Sequence, residues 1–296
     1  MNTSKPTQGF SVIGCGRLGI SLAVFLAREG FEPRAFASKT RESAEHAAEL
    51  AGGGRVCDDP VEAAQAADLV FITTPDTAIE EVCSAIADQG GFTDQSLVYH
   101  LSGALSSCVL SSARKRGAST GSIHPLQAFA PYTPGQSSPF KGINISIEGD
   151  ERATALGKEI VNALKAVFFL IPTEAKTLYH ASAVVASNYL VTLEHFALSL
   201  LAEAGLEADR GYEILEPLIL GTLKNIKARG CVNGLTGPVA RGDEEIIERH
   251  LGDIDRKMPQ FAELYRLLGQ HTLDITRERG ELDADHLERL TQLFNT

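Results

Sequence analysis

The 296-residue chain has no tryptophan, aromatics make up only 6% of it, and none of its five cysteines stands in a C-x-x-C pair. With no indole to report on it, ligand binding has to be followed through the ligand's own signal or by calorimetry. The scatter of Cys15, Cys57, Cys83, Cys108 and Cys231 excludes a zinc ribbon, a redox pair and a disulfide-dense secreted scaffold. It predicts reduced thiols in a cytoplasmic protein. No metal-ligand cluster is visible in the sequence. Positive charge is also scarce, with 27 Lys and Arg against 38 Asp and Glu, a net charge of −11. Such a balance repels nucleic acid and anionic membranes, and the one basic run, Arg114-Lys115-Arg116, is too short to reverse that. The opening MNTSKPTQGF lacks the apolar core of a leader peptide. The most apolar long stretch, 181–204, is interrupted by Asn188, Glu194, His195 and Glu203, which predicts a buried core helix and not a membrane span.

What is present is the composition of a globular protein, 44% hydrophobic and 22% charged, at a length where one core usually divides into two. The first half alternates strand-like and helix-like segments. Strands are predicted at 10–13, 34–37, 68–73, 96–100, 119–123 and 143–147, with helices at 18–28, 40–50, 61–67 and 77–87. This is the pattern of an α/β protein with a doubly wound parallel Rossmann sheet. Pro125, Pro131, Pro134, Gly135 and Pro139 make the segment between the last two strands a loop. From Glu174 onward only helices are predicted, at about 174–204, 209–229, 243–251, 254–279 and 284–294. The expected division is a dinucleotide-binding Rossmann domain, 1–172, followed by an all-α domain for substrate and dimerisation, 173–296.

Gly14-Cys15-Gly16-Arg17-Leu18-Gly19 matches G-x-G-x-x-G where the mechanism requires it, between the first strand and the first helix. Gly14 allows the tight turn, Gly16 lets a pyrophosphate approach the backbone, and Gly19 lets helix and strand pack closely. Arg17 and Leu18 complete the loop, and the helix N-terminus faces the anion. The plain alternative is a glycine-rich turn with no ligand. An NAD-binding chain offers an acid to the ribose about 20 residues further on. Here Ser38, Lys39 and Arg41 stand in its place, which favours the 2′-phosphate of NADP over a solvated turn. Thr74 and Pro75 follow the central strand, where the cofactor ribose would lie.

Candidate chemistry gathers around Ser102 and Gly103 after the strand at 96–100, His124 after the strand at 119–123, and Lys176 with His180 on the first long helix. Lys176 and His180 are spaced i, i+4 and so share one helix face. Asn188 is roughly 18 Å further along the axis. It serves another part of the substrate site or helix packing. Each of these also has a plainer reading: a structural histidine, a solvated lysine in a first helical turn.

The glycine loop, HLSG at 100–103, SIHPLQAF at 122–129, K-x-x-Y-H at 176–180 with SNY at 187–189, and LTGPVARGD at 235–243 together resemble the Rossmann-like proteins whose C-terminal half is the domain of unknown function 2520. The resemblance covers nearly the whole chain. It implies an NADP-dependent oxidoreductase acting on a small molecule, with no established substrate. More distantly the chain is similar to β-hydroxyacid dehydrogenases, ketopantoate reductases and pyrroline-5-carboxylate reductases, which share the two-domain plan of 6-phosphogluconate dehydrogenase and usually dimerise through the helical half. In the hydroxyacid and ketopantoate enzymes a K-x-x-x-N pair serves the reaction. Lys176 matches its lysine, whereas His180 replaces its asparagine. Ser102-Gly103 is similar to the substrate-carboxylate loop of the hydroxyacid enzymes, and Leu235 to Asp243 with Arg241 would cap the crevice or bind an anion, the plainer reading being a loop that starts a helix. The rival reading is a dinucleotide-binding sensor without turnover. An S-adenosylmethionine methyltransferase fits the full fingerprint and the basic second-strand end less well.

Overall fold

The computed structural model describes residues 8–206 and 208–295, so most of the opening MNTSKPTQGF lies outside them. The chain runs β1 (Gly9–Ile13), α1 (Arg17–Arg28), β2 (Glu32–Ala37), α2 (Arg41–Ala51), β3 (Arg55–Cys57), α3 (Pro60–Gln65), β4 (Leu69–Ile72), α4 (Asp76–Asp88) and β5 (Leu97–His100). Then come α5 (Ser111–Lys115), β6 (Ser119–Pro125), β7 (Asn144–Gly149), α6 (Glu151–Ala163) and β8 (Val167–Leu170). The rest is helical: α7 (Lys176–Glu203), α8 (Ala208–Gly234), α9 (Pro238–Arg241), α10 (Glu244–Lys257), α11 (Pro259–Arg279) and α12 (Ala284–Asn295). Two compact units divide between Ser187 and Asn188, inside α7.

In the first unit eight strands form one sheet in the order β3-β2-β1-β4-β5-β6-β7-β8. Buried residues cover both of its faces. Phe10, Val12, Phe71 and Tyr99 lie in one cluster, while Ile13, Val70, Ile72 and Val98 lie in the other. Two-sided burial is why β4 reads LVFI with no polar alternation. The pairings from β3 through β6 are parallel.

Two departures from the sequence reading bear on the site and on assembly. β7 runs antiparallel to β6, against the all-parallel expectation. Residues 126–143 contain no helix to carry the chain back across the sheet, so β7 starts at the end where β6 stops and returns alongside it. β8 then pairs parallel to β7 through α6. The expected buried core helix at 181–204 is the second departure. Among its described residues only Phe196 is buried, while Val185, Tyr189, Val191 and Leu193 are exposed. By length and composition alone α7 would suffice to cross a bilayer.

The second unit packs Ile247, Leu251, Leu273, Leu290 and Phe294 into a small core of its own. Along α8, Leu218 and Leu220 are exposed at 68% and 58%. A small helical unit has too few apolar faces to wrap every such side chain.

Candidate functional site

Strand order reverses between β1 and β4, and ligands of open α/β sheets bind at the carboxyl ends of strands beside such a reversal. There Gly14 has φ +101° and sits so close to the next loop that a Cβ would lie 2.6 Å from Thr74 N. A Cβ on Gly19 would strike the Gly14 carbonyl and the Thr73 hydroxyl. Gly16, by contrast, faces open space. It begins α1 with no side-chain cap and no acidic residue in the first turn, leaving the helix N-terminus unsatisfied. The Thr74 hydroxyl is buried without a partner, and Pro75 precedes α4. A cradle with room above Gly16, helix N–H groups without a side-chain cap and an orphaned hydroxyl fit a pyrophosphate and ribose.

After β2, Ser38 accepts a hydrogen bond from Cys15 N at 3.2 Å and so ties this turn to the glycine loop. Arg17 and Lys39 are exposed, with no ionic partner among the described residues. Arg41 is engaged: it grips both Asp58 carboxylate oxygens at 2.9 and 2.8 Å and Glu45 at 2.9 Å. A phosphate would have to take it from these carboxylates. Leu18 is half-buried against the core.

A second cluster lies further along the same sheet. Lys176, the first residue of α7, is 1% exposed and donates to Ser122 Oγ at 2.7 Å. Its ammonium also lies 5.8 Å from the Tyr179 ring centre. Burial brings the Lys176 pKa down to about 8, partly offset by the negative charges of Glu148 and Asp76. One turn on, Tyr179 bonds His124 Nδ1 at 2.9 Å. His124 Nε2 and His180 Nδ1 converge on Gly103, where a Cβ would meet them at 2.6 and 2.7 Å. His180 Nδ1 has no hydrogen-bond partner. Burial lowers the His124 pKa to about 4, with the Lys176 charge adding to the effect, so the ring is neutral near pH 7.

The Ser102 hydroxyl donates to Asp76 at 2.7 Å and accepts from Ala104 N and Leu105 N at 3.1 and 3.0 Å. Its single donor and both lone pairs are therefore committed to the turn carrying Gly103. His100, fully buried, accepts from Ser102 N through Nδ1, which places its proton on Nε2. Burial drops its pKa to about 3.

Lys176, His180, His124, Ser102 and Gly103 are thus brought together within the first unit. Asn188 and Arg241 belong to the second, where Arg241 pairs with Asp243 at 2.6 Å. The sequence reading passed over Ser122, Tyr179, Glu148 and Asp76. Register unites them. His100 pairs with Ser122 across β5 and β6, and Ser122 with Glu148 across β6 and β7. Directly paired residues project to one face of a sheet. A row of three buried polar side chains therefore crosses three strands near Lys176, and only the reversal of β7 puts Glu148 in it.

The strand order with its glycine turn defines a Rossmann-like protein, and a Rossmann-like domain model matches residues 2–125. The domain of unknown function DUF2520 matches residues 143–272, so the chain belongs to the proteins that join these two domains. It is similar over 92% of its length, and 100% of the other chain, to a protein from Thermotoga maritima, at 26% identity and a TM-score of 0.72. A protein from Bacteroides fragilis provisionally named an NADP oxidoreductase is 26% identical at TM-score 0.69, over 93% of this chain and 98% of that one. A reductive aminase from Aspergillus terreus, solved with NADPH and ethyl-5-oxohexanoate, shares the fold at 16% identity and TM-score 0.58, over 98% of this chain and 93% of that one. No curated protein matches the chain.

Proposed function

We propose that the chain is an NADP-dependent oxidoreductase that moves hydride to or from a small polar carbonyl, imine or alcohol. The observation that carries this reading is the buried Lys176 ammonium, held on Ser122 at 2.7 Å beside two imidazoles on the sheet that bears the glycine turn. The relatives support it in kind: one is provisionally named an NADP oxidoreductase and another was solved with NADPH.

NADPH, when bound, supplies the hydride. Gly14, Gly16, Gly19 and the first turn of α1 receive the pyrophosphate, with Thr74 and Pro75 against the ribose. Ser38, Lys39, Arg17 and a released Arg41 take the 2′-phosphate. Lys176 Nζ gives its proton to the substrate oxygen or nitrogen as the carbon gains the electron pair, and takes it back in the reverse direction. With a pKa of about 8 the lysine is charged at neutral pH yet close to release, as a general acid requires. His124 and His180 orient the substrate and relay the proton. Ser102 and Gly103 shape the floor through the turn that Ser102 caps, and Asn188 and Arg241 are the substrate-binding candidates of the helical unit. The protein works in the cytoplasm as a homodimer whose seam is the exposed apolar surface of α7 and α8. That surface is a reason to expect a second copy, and Glu194 and His195 in mid-helix are a reason to prefer it to lipid.

The test is Lys176→Ala assayed over panels of oxo acids and imines. Reduction is lost while NADPH affinity, followed by nucleotide fluorescence, stays within about twofold. NADPH binds more tightly than NADH, and Lys39→Ala erodes the difference. A wild-type protein that binds NADPH and turns over nothing in the panel favours the sensor reading.

A further inference from the structure

We propose that Glu148 is the positioning residue for Lys176, one buried carboxylate that fixes where α7 begins and keeps the ammonium seated on Ser122. The inference rests on the reading of Lys176 as the proton donor and adds a residue to that site.

Glu148 is 3% exposed, yet no cation touches it directly. Its Oε1 accepts from Ser107 N at 2.6 Å, and its Oε2 accepts from the hydroxyls of Ser107 and Thr173, each at 2.9 Å. Ser107 opens the short 3-10 turn after β5, and Thr173 opens the one that runs directly into Lys176. A single side chain on β7 therefore joins the segment beyond β5 to the residues that launch α7. Three neutral donors serve its oxygens, but none offsets its charge. A buried carboxylate without a counter-charge is costly, and Lys176 is a buried cation whose charge interacts with it. The two charges share one compartment, each reducing the cost of burying the other.

The groups facing Lys176 are Glu148 on β7, Asp76 on α4, His100 on β5, His124 on β6, and Tyr179 and His180 on its own helix. The imidazoles of His100 and His124 are neutral near pH 7, and Asp76 is exposed to solvent and engaged by Ser102. Glu148 is thus the one fully buried anion in this set.

Glu148→Gln separates the two roles of the carboxylate. An amide keeps the shape, and its NH2 donates to the same hydroxyls while its oxygen accepts from Ser107 N, but the charge is gone. The readout is the titration of Lys176 in the cofactor-free protein, followed by NMR of 13C-lysine-labelled material, with the Lys176 Cε resonance assigned by its loss in Lys176→Ala. In Glu148→Gln the midpoint falls by about one pH unit, and the alkaline limb of the pH–rate profile moves down with it. Glu148→Asp, which draws the charge back by one methylene, lowers the midpoint by a smaller step and covers the case in which the glutamine variant does not fold. An unchanged midpoint in either variant overturns the proposal. If the midpoint shifts but Lys176→Ala keeps full turnover, Glu148 still holds Lys176 and it is the proton-donor reading that falls.

Discussion

On the proposed reading Lys176 serves the reaction at the expense of the fold, and replacing it with methionine makes that expense measurable. The lysine titrates near 8 in the folded protein against 10.5 for an unhindered lysine. A native pKa below the unfolded one means that the unfolded chain binds more protons between those two values. Stability therefore rises with pH from about 8 to 10.5, and below 8 the full penalty of burying the charge is felt. At about 1.4 kcal/mol per unit, 2.5 units come to roughly 3 kcal/mol. Lys176→Met fills the same volume without charge and loses the hydrogen bond to Ser122, worth about 1 kcal/mol. The net expectation at pH 7 is an inactive variant whose first unit is more stable by about 2 kcal/mol. Urea unfolding of variant and wild type at pH 7, 9 and 10.5 measures it. The advantage must shrink as pH rises and vanish or reverse by 10.5. A variant that is less stable at pH 7, or one whose advantage does not depend on pH, refutes the reasoning.

Gly103→Ala places a methyl 2.6 Å from His124 Nε2 and 2.7 Å from His180 Nδ1. Overpacking of this kind costs about 1–3 kcal/mol and swings both rings, so calorimetry should show a melting temperature lower by a few degrees together with reduced turnover. His100 and His124 are held neutral with pKa values of about 3 and 4, below the 6.5 of the free side chain, so the unfolded chain takes up two protons that the native state refuses. Stability is present above pH 6.5 and is lost as pH falls through 4 toward 3. His124→Gln should flatten that loss by one proton in denaturant titrations between pH 6.5 and 4.5, and an unaltered slope would count against it. Light scattering at micromolar concentration should give a dimer, and Leu218→Glu with Leu220→Glu should return it to monomer. A monomeric wild type removes the seam on α7 and α8.

Much of the fold was legible because its signals are local. The run at 69–72 can only be a strand buried on two sides, and the glycine turn carries its own mechanism in its spacing. The reversal of β7 was not legible, because direction depends on what the intervening segment fails to be, and a proline-rich loop leaves both directions open. The candidate site split along the same line. Lys176 and His180 share a helix face by spacing alone, and His124 was marked by its place at a strand end. Glu148 and Ser122 look like ordinary strand residues until register sets them side by side. The apolar run at 181–204 misled for a related reason: hydrophobicity shows that a face needs covering, not whether its own chain provides the cover.

The row His100, Ser122, Glu148 also bears on how this sheet can change over generations. Each member holds a donor buried beside it, Ser102 N for His100, Lys176 for Ser122 and Ser107 N for Glu148, so an apolar replacement of any one strands that donor at about 1–3 kcal/mol. Replacing all of them with matched apolar side chains would restore a sound core only where the donors that serve them, Lys176 above all, are replaced as well. The intermediates between those two end points are worse than either. A lineage that starts from this arrangement is held in it by its nearest mutational neighbours, and the row together with its donors is inherited as a block.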